Sequence, residues 1–418
     1  MPEFELEKIR RETDYLQWTA EPEFYRPDYD RALPGVLPTV LELLGKDTGD
    51  FANLLHVLPP AVPRRARRVL LVCLDAFGFQ ELAISSRFRA LFADYGTWIT
   101  SVFPTITSCA LTSLYQGLEP ARHGILGHNI WKDSPGGVVD MLRMQVVGAQ
   151  APLAASGFDL SQWSREKGIV ERDSAFEGKI LMPSHIVESG LSTLIYGGSN
   201  RFGFVDLLEG LTKAGRMLSD IDEGWVGLYS PAVDSLGHVV GGQTPQMALA
   251  IGQIEESLCW MAGSLPEKVA EESLLVLVAD HGQSFIRERI PLHGEPAEWL
   301  AAHSKAVGHS GRVLHIYLGR HGEAGVRDAL TALVGDKGRV LGFDEVKELV
   351  GPVADEGWVR QSLGDLVVAL RGGYNWESKP PAPGESPYTT RLVSQHGSLT
   401  WDEMVVPLLV APLSALPA

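Results

Sequence analysis

Residues 95–131 read YGTWITSVFPTITSCALTSLYQGLEPARHGILGHNIW, and the rest of the chain is organised around this stretch. Trp98 to Val102 has the β-branched and aromatic bias of a short strand. Ala110 to Leu118 has the pattern of a helix, stopped by Gly117 and Pro120. Between the two lie the hydroxyls of Thr105, Thr107 and Ser108, just after Pro104, which restricts the backbone there. Such a turn can hold one hydroxyl at a helix start, where unpaired N–H groups favour an anion. By itself this describes an ordinary helix cap as well as a nucleophile.

Composition narrows the classes. With 418 residues, 45% hydrophobic and 21% charged, the chain has ordinary globular values and room for a large core. That length suits two or three average domains, or one large α/β sheet with insertions. No apolar run approaches the roughly eighteen residues needed to span a bilayer, and the opening residues lack the apolar core of a signal peptide. A cytoplasmic protein is the expectation. Three cysteines, Cys73, Cys109 and Cys259, form no disulfide framework and read as buried thiols. A net charge of -16 argues against a nucleic-acid polymer as partner. The basic run Arg64 to Arg68 reads as a solvated strand flank.

Outward from the central stretch, residues 1–65 read as an N-terminal arm on the main body, with breaks at Pro34, Gly35 and Pro38, no clear strand, and a helix starting within Val40 to Leu44. Val69 to Leu74 is a continuous apolar run ending in Asp75, as in a buried parallel strand that delivers one polar side chain to its carboxyl end. Residues 132–177, rich in Gly, Pro and Ser, read as a surface insertion. Ser189 to Tyr196 reads as a turn and a short strand, and Gly224 to Tyr229 as another strand, leading into Asp234 and His238. Thr244-Pro245 opens a helix whose apolar residues Met247, Ile251, Ile254, Leu258 and Met261 suit packing on a sheet. Leu274 to Val278 is a buried strand ending in Asp280-His281. His293, His303 and His309 fall in irregular polar sequence and read as exposed. A strand over Val313 to Leu318, a helix over Gly325 to Leu333, an exposed Pro-rich loop over Lys379 to Pro387, the His396-Gly397 turn and a last strand over Met404 to Val410 complete the order.

At strand ends, then, stand Asp75, Thr107, Asp234, His238, Asp280, His281 and His396. Each alone is a cap, a turn or a satisfied histidine. Together the carboxylates and imidazoles are the ligand types that Zn²⁺ takes, and they divide into two sets of three. An open parallel sheet brings its carboxyl ends to one edge, where residues distant in sequence converge.

The ordered pattern of Asp75 after a strand, FPTIT with Gly117 ten residues beyond Thr107, GLEPARHGI, Asp234-x-x-x-His238, ADHG, and a late HG before VVPLLV resembles the alkaline phosphatase superfamily, and within it the type I phosphodiesterase and nucleotide pyrophosphatase branch. The resemblance spans Val69 to Val410. It implies a three-layer α/β fold with a central, mostly parallel sheet flanked by helices, carrying surface insertions, with residues 66–412 as the catalytic domain. It also implies two divalent metal ions, zinc first and manganese or iron as alternatives, one held by Asp234, His238 and His396 and the other by Asp75, Asp280 and His281. Thr107 matches the nucleophile, touches the metals and would form a covalent phosphothreonine. The family's asparagine that holds a phosphoryl oxygen falls at His128; the adjacent Asn129 is taken for that role.

One departure bears on substrate. The Phe-Pro-Asn-His that follows the nucleophile in eukaryotic-type nucleotide pyrophosphatases is replaced by Ser108-Cys109-Ala110-Leu111, leaving Trp131 or Tyr229 to stack a base. The expected function is hydrolysis of phosphodiester or pyrophosphate bonds in a small phosphorylated substrate, with nucleotides among the candidates. A phosphomonoesterase or phosphonoacetate hydrolase is the alternative, and a zinc-bound, non-catalytic phospho-ligand binder the remote one.

Overall fold

The apolar run after Arg68 forms the centre of the molecule. In the computed structural model, which describes residues 6–18, 21–197, 199–320, 322–379 and 392–416, Arg68–Leu74 is a strand buried along its whole length. Parallel neighbours lie on both sides of it, Gly224–Ser230 and Ser273–Val278. The seven-stranded main sheet has the order 96–100, 405–412, 273–278, 68–74, 224–230, 179–183, 200–204. Val405–Pro412 is antiparallel to both of its neighbours, and the other pairings are parallel. The carboxyl ends of the parallel strands and the amino end of this reversed strand therefore share one edge. That edge is where loops from distant parts of the chain meet.

Helices cover the sheet. Pro245–Ser264 starts where the Thr244 hydroxyl accepts the Met247 N–H at 3.2 Å, and Met247, Ile251, Ile254, Leu258 and Met261 are all buried. Its main partner is the Leu207–Asp220 helix rather than the sheet itself. The expected strand within Ser189 to Tyr196 is a helix, Gly190–Ile195, because the Ser189 hydroxyl caps it by accepting the Ser192 N–H. Leu191 and Ile195, four apart, fall on its buried side.

The N-terminal region also differs from its reading. Gln17–Trp18 and Glu21–Tyr25 pair as a short antiparallel ribbon, and the helix runs Val36–Leu43. Pro38 lies in its first turn, where the missing N–H has no partner to lose, so a residue read as a breaker is accommodated in the helix start. Leu16, Leu33, Leu37 and Leu41 join the core of the main sheet.

A second sheet was not visible in the sequence as such. It has seven strands in the order 338–342, 366–370, 313–317, 306–310, 129–132, 137–140, 145–146, and its named pairings are antiparallel. Residues 132–177 thus begin with two of its strands before passing into 3-10 turns and the short helix Ile169–Arg172. His309 stands on its Ala306–Ser310 strand, half-buried, while His303 is exposed and stacked on Trp299. Burial pushes the His309 imidazole down to about 4. The Pro-rich tract lies outside the described residues from position 380 onward.

The two sheets are joined by a buried ion pair. Arg312 Nη1 meets Glu403 Oε2 at 2.5 Å, with both side chains fully buried. The guanidinium also donates to the carbonyls of Tyr374, Leu370 and Arg371. Glu403 in turn accepts the N–H groups of Ser398 and Thr400. A buried charge with this many partners is satisfied on every side.

Candidate active site

The shared edge of the main sheet gathers every strand-end residue singled out from the sequence. Asp75 follows the central strand directly, and Asp280-His281 follows its neighbour Ser273–Val278. Asp234 and His238 lie one turn apart on Ala232–Val240. His396 precedes the amino end of the reversed strand, which explains how so late a residue reaches the same place. The ligand atoms of Asp234, His238 and His396 lie within 4.8 Å of one another, as do those of Asp75, Asp280 and His281. The His281 and His396 rings, one from each group, stack with centroids 3.8 Å apart.

The histidines are oriented alike. Nδ1 of His238 faces the Ser394 carbonyl at 2.8 Å, that of His396 the Thr105 carbonyl at 2.9 Å, and that of His281 the Gly282 carbonyl at 3.2 Å. A carbonyl only accepts, so Nδ1 carries the hydrogen and the Nε2 lone pair faces the carboxylates. His238 and His396 Nε2 lie 3.3 and 3.4 Å from Asp234 Oδ1. His281 Nε2 lies 3.5 Å from Asp75 Oδ1 and 3.4 Å from Asp280 Oδ2.

The carboxylates show the same division of labour. Asp75 Oδ2 accepts the Tyr229 hydroxyl at 2.5 Å, while its Oδ1 is buried without a partner. Asp280 Oδ1 accepts the N–H groups of Ala76 and His281, while its Oδ2 is buried without a partner. Burial and the neighbouring charges of Asp280 and Asp234 push the Asp75 carboxyl well above the usual range. Burial pushes Asp280 up to about 6. Burial works the same way on Asp234, but the adjacent His238 and His396 outweigh it and hold that carboxyl well below the usual range. Orphaned carboxylate oxygens opposite free imidazole lone pairs fit a divalent cation of zinc's preferences. The turn is locally strained: Ala76, between Asp75 and Phe77, has φ of 59°, in the left-handed region.

Thr107 opens the helix Thr107–Gln116, which ends at Gly117 with φ of 68°. The nine residues after Thr107 are buried, and Thr107 alone keeps partial exposure. The three hydroxyls now separate. Thr105 donates to the Ser398 carbonyl at 2.8 Å and Ser108 to the Gly127 carbonyl at 2.8 Å. Thr107 Oγ1 instead faces His281 Nε2 at 3.3 Å.

Some contacts were not read from the sequence. Tyr229, taken for base stacking, is buried with its hydroxyl on Asp75, so it is an inner support and not a stacking surface. Gln283 Nε2 donates to Asp234 Oδ1 at 2.5 Å, and Ser394 Oγ donates to Gln283 Oε1. Its place just after ADHG was the available signal. Asn129 and Trp131 lie on one side of the Asn129–Lys132 strand, both half-buried. The Trp131 ring carries Lys305 Nζ at 4.2 Å from its centroid.

Comparison with solved structures follows from this geometry. Murine ectonucleotide pyrophosphatase/phosphodiesterase 5 matches with a TM-score of 0.60 and 18% identity, over 82% of this chain and 87% of that one. Its human counterpart matches with a TM-score of 0.59 and 17% identity, over 82% and 87%. Phosphonoacetate hydrolase from Sinorhizobium meliloti 1021, in complex with phosphonoformate, matches with a TM-score of 0.58 and 16% identity, over 84% and 92%. The fold is alkaline-phosphatase-like, as in these matches. The sequence model of type I phosphodiesterase / nucleotide pyrophosphatase matches residues 69–148. That span runs from the strand before Asp75 through Thr107 into the second sheet. No curated protein matches the chain by sequence. Among the described residues, no helix is long and apolar enough to cross a membrane.

Proposed function

We propose that the protein is a metal-dependent hydrolase that cleaves phosphodiester or pyrophosphate bonds by way of a phosphothreonine at Thr107. The observation that carries this reading is the placement of one hydroxyl, facing His281 Nε2 rather than a backbone carbonyl, beside two carboxylate–imidazole groups, three side chains each. Asp234, His238 and His396 would hold one cation, and Asp75, Asp280 and His281 the other, with zinc preferred by the mixed N and O donors. Two bound cations would acidify the Thr107 hydroxyl and neutralise charge on the phosphoryl oxygens.

The chain's own part is positional. The helix beginning at Thr107 fixes Oγ1 at its first turn and points its positive end at the anion. Oγ1 attacks phosphorus, its proton passes to solvent, and the bond from phosphorus to the leaving oxygen breaks. Water then attacks the phosphothreonine, and the phosphorus–Oγ1 bond breaks in turn. Val102, Phe103 and Ile106, all buried, flank this turn. Free, buried cysteines suit the reducing cytoplasm as its location.

A second reading is a phosphonate or phosphomonoester hydrolase, favoured by the match to phosphonoacetate hydrolase, which covers more of both chains than the pyrophosphatase match does. Turnover of bis- and mono-nitrophenyl phosphates and of phosphonoacetate separates the two. Thr107→Ala is expected to lower kcat by at least about a thousandfold on the preferred substrate with little change in stability. Full activity in that variant, or two-metal binding absent by elemental analysis, rejects the proposal.

A further inference from the structure

The helix Glu295–His303 lies over the second sheet with a hollow beneath it. Leu300 is the one buried residue among its nine. Ala297 and Ala301, one turn apart, share a side with Ser304 just past the helix end, and all three line the hollow. Side chains this small leave a gap that larger ones would fill. On the sheet side, Val307 and His309 alternate onto one face of Ala306–Ser310, and Leu314 stands opposite His309 on the next strand. The hollow measures about 390 Å³, at the lower end of small-molecule sites, which run from about 300 to 1,000 Å³. A further hollow of about 330 Å³ lies between the same helix and Glu323–Val334, so the helix has room to adjust to a guest.

One polar atom in this apolar lining is unmatched. His309 Nε2 is buried and has no hydrogen-bond partner among the described residues, an unfavourable state for a ring nitrogen. Two other polar side chains there are engaged: Ser304 Oγ donates to the Leu300 carbonyl at 2.6 Å, and Lys305 Nζ reaches out to Asp133 Oδ1 at 3.2 Å and to the Trp131 ring. Ser378 is exposed to water. Burial keeps the His309 ring uncharged at pH 7, and the ammonium is paired, so no free charge answers an ionic ligand. We propose that this hollow is a second binding site, for a small neutral ring compound carrying one hydroxyl, with its apolar body against Ala297, Ala301, Val307 and Leu314 and its hydroxyl on His309 Nε2. A flat ring suits a slot between a helix and a sheet face. A hydroxyl suits either tautomer, because it donates to a bare nitrogen and accepts from a protonated one. The hollow is separate from the candidate active site: neither Thr107 nor any of the six metal-type side chains lines it, and its occupant is not the phosphoryl substrate.

The test is equilibrium dialysis of the full chain against 1-naphthol and against naphthalene at pH 7. About one equivalent of 1-naphthol is expected to bind, about fivefold more tightly than naphthalene. Ala301 is exposed at the open side of the hollow, so Ala301→Phe should fill the space without disturbing the fold and weaken 1-naphthol by about tenfold or more. His309→Leu removes the unmatched nitrogen and keeps an apolar wall. It should bind naphthalene within about twofold of the parent and lose the preference for 1-naphthol. Circular dichroism checks the fold of both variants, which lie on different elements, so either one decides the matter if the other fails to fold. Thr107→Ala should bind 1-naphthol as the parent does. No binding of 1-naphthol to the parent, binding indifferent to Ala301→Phe, or a preference that survives His309→Leu overturns the assignment, whatever the phosphoryl-ester assays show. Loss of 1-naphthol binding in Thr107→Ala would put the probe at the sheet edge and overturn it as well.

Discussion

Gln283 and Tyr229 are single side chains with separable duties. Gln283 Nε2 reaches the Asp234 carboxylate and its carbonyl, and Ser394 ties Gln283 back to the backbone that receives His238 Nδ1. Tyr229 supports Asp75 instead. Outer hydrogen bonds of this kind hold a ligand's orientation, and losing one typically weakens metal affinity by about 10–100-fold. Gln283→Leu is therefore expected to drop bound zinc from two equivalents toward one, measured by elemental analysis after dialysis at limiting zinc, with the fold intact by circular dichroism. Two tightly held equivalents in that variant would reject the role. Lys132 gives a pH prediction. It is buried, donates Nζ to the Gly124 carbonyl at 2.8 Å and Ser362 Oγ at 2.9 Å, and burial pushes its amine down to about 7. Between pH 7 and the ordinary lysine range, the unfolded chain holds the proton that the folded chain has lost. Folding stability relative to Lys132→Met should thus rise with pH over that window, by up to about 1.4 kcal/mol per unit. Denaturant melts at pH 7, 8 and 9 check the slope; a flat or falling difference contradicts it.

Elements decide how these residues meet. The Thr107–Gln116 helix is fixed by burial of nine successive residues, so its half-buried first residue is placed by the packing of everything after it. Helix periodicity and Gly117 made the element legible, although its start lies three residues earlier than the sequence reading. The hydroxyl choice was not legible from periodicity, because it depends on Ser398 and Gly127 occupying the alternatives. The loop bearing His396 is fixed differently. Its following residues hang on Glu403, and Glu403 on Arg312 of the second sheet. Arg312→Met leaves that carboxylate buried without its cation, and a loss of about 3–5 kcal/mol is expected by chemical denaturation. A loss below about 1 kcal/mol would show that the pair does not hold the sheets together.

For the whole molecule, the two orphaned carboxylate oxygens and three neighbouring aspartates make the site edge electrostatically costly when no cation is present. A chelator is expected to lower the melting temperature, and added zinc to raise it with concentration. A thousandfold excess over Kd contributes about 4 kcal/mol. A melting temperature indifferent to both would count against cation binding at this edge. The sequence by itself determined the buried parallel strands and the identity of most polar residues at their ends, because an apolar run closed by one charged residue has few other folded uses. The tertiary structure alone decided the antiparallel second sheet, whose strands are short and separated by up to about half the chain. It alone showed Tyr229 beneath Asp75 and Gln283 behind Asp234. Such partners are set by which loops cross at a shared edge, and that crossing depends on strand order and direction rather than on any local periodicity.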